Sequence, residues 1–412
     1  MTSPHGAPAP GDRLRTLRGL AAYACGHTGS CCRAGWPIPV EPVPLELLRQ
    51  GEAAGLLPDL APGSWTHDGI LGRTTESTCI FHAPAVPGGG CRVESSLGTA
   101  ALAYSCRQFP RVLLVDARGW HLSLSAWCGT AAEMIVSPSS PSQIGEDTCF
   151  MSFAYIDADA RVHLESLDAR DAWPPLLKPG VLAGHAVYAQ WETLAIERLL
   201  TPVEQSRAAL PSALASLLCW TDTLRAWKSA DGALEVLVRR SFAPPDPRRL
   251  LRTAANRAGL EQVRASLLSR VPPEWRPQDW PAGLTDPTDG GAAVSRGAAD
   301  AILARYLATR LIGSWVTYHG QGLRSVAASL VSAYVLIALA LCTPTGAGTG
   351  SPVTLGRMTS AIRASDWLLL HLLDRTGWAD WCAGYEMADD ARPLLALVGG
   401  AARELDSLTW SA

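Results

Sequence analysis

Seven of the eleven cysteines fall between positions 25 and 128 of a 412-residue chain: Cys25, Cys31, Cys32, Cys79, Cys91, Cys106 and Cys128. No other feature restricts the fold as strongly, because thiols crowded into one stretch must be bridged, metal-bound or catalytic. The opening residues, MTSPHGAPAPGDRLRTLRG, lack the apolar core of roughly 7–15 residues that marks a secretory signal. A cytoplasmic location is therefore expected. Thiols stay reduced there, so the cluster reads as metal ligands rather than a disulfide framework. Cys149, Cys219, Cys342 and Cys382 are scattered and read as ordinary buried thiols.

A zinc site or a 4Fe-4S cluster takes about four thiolates, so this set leaves spare ligands or allows a second site. Spacing does not choose between the two metals. His27, His82 and His121 stand near the cysteines and can replace a thiolate, although a hydrogen-bonded packing role is the simpler reading of each. Gly26, Gly29 and Gly35 supply the turns that aim backbone N–H groups at sulfur. Trp36 and Trp127 read as apolar walls that keep water from the site.

The remaining text predicts an α+β chain, predominantly α. A small cysteine-rich metal-binding domain with β-hairpins spans 1–140, a hairpin and linker 141–180, and a larger all-helical domain 181–412. Helical spacing is read over 13–24 and 41–57, hairpins turn at 116–119 and 157–160, and SPSSPSQIGED at 137–147 reads as a linker. Beyond 181, apolar residues recur at helical spacing, including the stretches SDWLLLHLLDRTGW and ARPLLALVGGAARELDSL. The apolar run 326–342 is shorter than the roughly 20 residues that span a bilayer and contains Ser329 and Ser332. It reads as a buried helix, without membrane insertion. A net charge of −3 and a pI near 6.3 leave no electrostatic footprint for nucleic acid.

The segments CGHTGSCCRAGWPIPVE, CIFHAPAVPGGGCRVESSLGTAAL, CRQFPR and LSLSAWCGTAAEM resemble, in order, the cysteine-bearing segments of the flagellin lysine N-methylase (FliB-type) family. That family lies within the wider YkgJ-type cysteine-cluster proteins, which are assigned zinc or iron chelation. The resemblance is strong over 25–134, where non-cysteine letters also agree, and loose thereafter. It implies that Cys25, Cys31, Cys32, Cys79, Cys91, Cys106 and Cys128 ligate metal and that an iron–sulfur cluster occupies the cysteine domain. It also implies methyl transfer from S-adenosylmethionine to surface lysines of a flagellin-like protein substrate.

The residues themselves leave the cofactor site open, since no G-x-G-x-x-G strand-to-helix turn is present. Arg107 and Arg111, in the CRQFPR element, can grip a carboxylate of cofactor or substrate, while a structural ion pair serves each equally well or better. Asp116, Glu133, Asp157 and Asp159 can take a lysine proton, although turn or surface roles are the simpler reading, and no catalytic residue is assigned. The alternative is a non-catalytic zinc- or iron-binding protein in which the metal has a structural, sensing or delivery role.

Overall fold

In the computed structural model, residues 13–57, 60–61, 63–75, 78–83, 90–137, 144–148, 167–201, 209–240, 255–273, 276, 280, 291–343, 351–373 and 375–411 are described. Among them the chain is α+β and predominantly helical. Its strands are β1 (Arg13–Leu17), β2 (Thr66–His67), β3 (Ile70–Leu71), β4 (Arg111–Asp116), β5 (Gly119–Leu124), β6 (Ile144–Thr148), β7 (Leu167–Asp168), β8 (Leu176–Lys178) and β9 (Val181–Leu182). A five-stranded sheet has the order β6-β1-β5-β4-β7, and β2 with β3 and β8 with β9 form separate two-stranded pairs.

The hairpin of β4 and β5 is antiparallel, closing between Asp116 and Gly119. Alternating residues put Leu113, Val115, Leu122 and Leu124 into the main core. β1 lies parallel to β5 and antiparallel to β6, so its backbone groups are paired along both edges. This overturns the helix expected over 13–24, where only a short 3-10 turn, Leu20–Ala22, follows the strand. Leu14 and Leu17 are buried in either geometry, and the two neighbouring ladders decide in favour of the strand. The linker expected over 137–147 is also corrected in part, because Ile144–Thr148 is the strand β6. The hairpin expected at 157–160 lies outside the described residues.

Buried apolar side chains form two clusters. The larger joins the sheet to the helices, and the smaller gathers Ile38, Leu48, Trp65, Phe81 and Val93 around Cys32 and Cys79. At the centre of the larger is helix Leu323–Cys342, in length and composition sufficient to cross a membrane, with 94% of its apolar window buried inside the protein. It packs against helices Ala209–Arg225, Leu355–Asp366, Arg375–Glu386 and Arg392–Asp406. An all-round apolar helix finds its solvent in other helices here, as expected from its composition. The stretch SDWLLLHLLDRTGW departs from a single helix. The α-helix ends at Asp366, Trp367–Leu372 is a π-helical turn, and a new helix begins at Arg375. The wide turn presents His371 to Ser125 of the strand-to-helix corner.

Sheet and helices meet across a buried polar seam. Arg118 donates to Asp116 at 2.6 Å and reaches Glu192 of helix His185–Leu200 at 3.2 Å. Glu192 is also paired with Arg15 of β1. Tyr318 donates to Asp116 at 2.6 Å, and His121 stands 3.3 Å away. Burial alone would raise the Asp116 carboxyl, but hydrogen bonds from His121 and Arg118 outweigh it and hold the group below the usual carboxylate range.

Asp116→Ala should lower stability by about 3–5 kcal/mol, since it strands buried partners. The midpoint of urea unfolding measures this. In the native protein the carboxylate's contribution is complete above its unfolded value of about 3.9 and is lost as pH falls toward the depressed folded value.

Candidate metal centre and adjoining cleft

Five of the predicted ligands meet. Cys31, Cys32, Cys79, Cys91 and Cys106 line one cavity of about 30 Å³, whose remaining walls are apolar side chains such as Leu48, Phe81 and Val93. They arrive from separate pieces of chain. Cys31 and Cys32 sit in the turn after Gly29, Cys79 follows the β3 segment, Cys91 caps helix Arg92–Leu97, and Cys106 lies in helix Tyr104–Gln108. Backbone contacts fix the approach. The Cys79 N–H donates to the Cys32 carbonyl at 2.8 Å, and His82 bridges Cys91 in an antiparallel pair.

Gly29 makes the turn possible. Its φ is +69°, and an added Cβ would stand 2.4 Å from the His82 ring nitrogen. Only glycine takes that backbone and that proximity without strain.

The thiols divide by charge. Cys31 and Cys32 are 4.0 Å apart at sulfur. Side-chain hydrogen bonding with Cys32 lowers the Cys31 pKa, and it also lowers that of Cys79, to about 7. Cys32 keeps its proton, pushed up by its bonds to Cys31 and Cys79. Burial raises Cys91 to about 12 and takes Cys106 well above the ordinary thiol value. The pocket thus lowers the pKa at two thiols and raises it at three. A cation bound among them would favour their ionisation. Arg73 provides positive charge from the protein itself, close enough to feel Cys79, Cys106 and Cys32, and its backbone is bridged to Cys79. Sequence reading missed Arg73, which is brought to the site by its backbone bridge to Cys79.

The other two predicted ligands sit elsewhere. Cys128 is buried at the start of helix Gly129–Val136, with its sulfur 3.2 Å from the Tyr23 hydroxyl. Cys25 is exposed and accepts the His27 N–H at 3.3 Å. Neither lines the cavity. His27 stands 3.6 Å from Glu94, and His121 belongs to the Asp116 seam. Trp36 and Trp127 are not on the cavity wall. Trp36 packs 4.7 Å from His371, and Trp127 stacks on Trp367 at 5.4 Å. Among the described residues, no group of three or more His, Cys, Asp or Glu side chains is close enough to hold a metal ion.

The two candidate cofactor arginines differ in burial, Arg107 being half-buried and Arg111 buried. Arg111 is buried and donates to the carbonyls of Tyr23 at 3.1 Å and Arg107 at 3.3 Å. Arg107 lies 4.5 Å over the Tyr104 ring. Of the candidate acids, Asp116 is locked in the seam, Glu133 lines an open cleft, and Asp157 and Asp159 lie outside the described residues.

That cleft, of about 440 Å³, is bounded by the loop 28–33 and by helices Gly129–Val136 and Leu355–Asp366. Thr28, Ser30 and Arg33 face it, while Cys31 and Cys32 of the same loop line the thiol cavity. Arg363 forms its inner wall, donating to the Trp127 carbonyl at 3.2 Å and the Ser30 hydroxyl at 3.1 Å.

A buried Ser125, His371 and Asp366 lie nearby, but not as a nucleophilic triad. Ser125 donates to Asp366 at 2.9 Å, so its oxygen accepts from His371 Nε2 at 2.7 Å. In a triad the histidine accepts from the serine and the carboxylate holds the other ring nitrogen. Tyr306 also donates to Asp366 at 3.0 Å, which makes the group a structural lock between corner and helix.

Comparison with protein-family models, curated proteins and solved structures finds no match to this chain.

Gly29→Ala should cost at least the roughly 1–2 kcal/mol of a strained left-handed backbone and should displace His82. A lowered urea midpoint, with faster alkylation of Cys31 and Cys32 by a thiol reagent, is the expected result.

Proposed function

We propose that this chain is a thiolate metalloprotein, with a small cysteine-rich metal-binding module ahead of a larger helical domain. The observation that carries the reading is the convergence of Cys31, Cys32, Cys79, Cys91 and Cys106 on one cavity. Four thiolates satisfy either a 4Fe-4S cluster or zinc, and the donor set here is sulfur throughout, which suits both. The side chains would close on the metal as it binds, with the protons of the ligating thiols released. Arg73 would offset part of the negative charge of the bound thiolates. Cys25, Cys128 and one of the five cavity cysteines are the spare thiols in this reading.

The resemblance to flagellin lysine N-methylases extends the proposal to an enzyme, a cytoplasmic S-adenosylmethionine-dependent protein lysine N-methylase. The donor supplies an electrophilic methyl group. What the protein must then do is hold a neutral lysine amine in line with it and exclude water. A cleft of about 440 Å³, within the roughly 300–1,000 Å³ of small-molecule sites, adjoins the cysteine loop and supports a cofactor role.

Protein purified without oxygen should carry iron and acid-labile sulfide. Stoichiometric zinc without sulfide would assign zinc instead, and neither metal would end the proposal. Cys91→Ser and Cys106→Ser should abolish loading, whereas Cys219→Ser should leave it intact.

The loaded protein should add methyl groups to lysines of a partner protein only when S-adenosylmethionine is present. The rate should rise with pH toward the lysine value of about 10.4, shifted downward by desolvation. Metal without methyl transfer would leave a non-catalytic metal-binding protein.

A further inference from the structure

We propose that Cys32 and Cys79 form a reversible disulfide when the metal-free protein meets a hydroperoxide, which makes the thiol cavity a site of oxidative modification. The pairing does not depend on metal, whereas its consequence for loading rests on the metal reading. Geometry selects the pair. The Cys79 N–H donates to the Cys32 carbonyl at 2.8 Å, which sets the two segments at the ~5 Å spacing of neighbouring strands. A disulfide spans roughly 4.4–6.8 Å between Cα atoms. The two side chains already interact through their thiols, so rotation about their own bonds brings sulfur to sulfur with the backbone in place. Cys31 is the rival partner, its sulfur 4.0 Å from that of Cys32. Adjacent Cα atoms, however, stand only about 3.8 Å apart, below the disulfide range. Bridging them would distort the turn in which the Arg33 N–H donates to the Gly29 carbonyl and the Ala34 N–H to that of Cys31.

The Cys79 side of the pair is held as firmly. The Thr74 N–H donates to the Thr78 carbonyl at 2.8 Å and the Ile80 N–H to that of Gly72 at 3.0 Å. A small oxidant can enter. Hydrogen peroxide, little larger than water, fits a cavity of about 30 Å³, and Cys31, Cys91 and Cys106 on its wall are half-buried, so the cavity meets the surface. The Cys79 sulfur attacks one peroxide oxygen and gives up its proton, the O–O bond breaks, and water leaves a sulfenic acid behind. The Cys32 sulfur then attacks the Cys79 sulfur, the S–O bond breaks, and a second water leaves. Two thiols have lost two electrons and one peroxide has gained them. Cys31, Cys91 and Cys106 remain, one sulfur fewer than the roughly four that zinc or a 4Fe-4S cluster takes, so the oxidised cavity would refuse metal until reduced.

Treating the metal-free full chain with stoichiometric hydrogen peroxide, then mapping its peptides by mass spectrometry without reduction, tests the proposal. The expected product links Cys32 to Cys79, assigned against Cys31 by fragmentation, and the thiol count in denaturant falls by two from eleven. Dithiothreitol should restore both thiols. Cys25→Ser changes an exposed thiol off the cavity and should still give the link, and Cys79→Ser should not. The proposal is overturned by a main product joining any other pair, by oxidation that dithiothreitol leaves in place, or by survival of all the thiols. Offering zinc, or iron with sulfide, to the reduced and oxidised forms separates this result from the metal reading. The oxidised form should take up at least about tenfold less metal, and equal uptake overturns the consequence for loading. A link in a protein that takes no metal in either state sustains the pair and removes the metal reading. Metal in the reduced form with no link removes the pair alone.

Discussion

The reach of Arg363 from the helical body to Ser30 and Trp127 ties the cysteine loop to the rest of the molecule. Ser30 concentrates the contact. Its hydroxyl accepts from the guanidinium and from the Gly129 N–H at 3.3 Å and is paired with the Thr28 hydroxyl at 3.0 Å, while its carbonyl accepts the Trp127 indole N–H at 3.1 Å. A short Gly-rich loop has little apolar surface of its own to bury. Directional hydrogen bonds to a buried cation therefore set where Cys31 and Cys32 point.

The same solution recurs wherever strand meets helix. Asp116, Arg118 and Glu192 join the sheet to helix His185–Leu200, and Ser125, Asp366, His371 and Tyr306 join the following corner to the π-helical turn. Within the helical half, Arg324 grips Asp222 at 2.7 Å and the Ala391 N–H donates to the same carboxylate. Apolar packing around helix Leu323–Cys342 supplies cohesion without direction. The buried polar contacts supply register, because leaving any of them unmade would cost more than misplacing a methyl group.

The thiol cavity carries a different tension. Its walls desolvate sulfur and raise Cys91 and Cys106, while the proton shared around Cys32 lowers Cys31 and Cys79. Arg73 brings a positive charge to the same thiols. The shared loop joins this cavity to the neighbouring cleft, so a change at either would act on the same backbone.

Much of this was legible in the chain. The Pro-led helix Pro42–Ala53, the β4–β5 hairpin and the apolar core helix follow from local pattern, because each is closed by its own neighbours in sequence. The crowding of cysteines likewise marked a sulfur site. The strand at Arg13–Leu17 was not legible, since its partners β5 and β6 lie more than a hundred residues away and outweigh the helical spacing of Leu14 and Leu17. Nor could spacing separate Cys25 and Cys128 from the five cavity cysteines, or find Arg73 and Arg363. Sequence determines which side chains can ligate, pair or pack. Only tertiary structure brings residues from distant segments to one wall, because long-range packing and buried hydrogen bonds, not local preference, fix those distances.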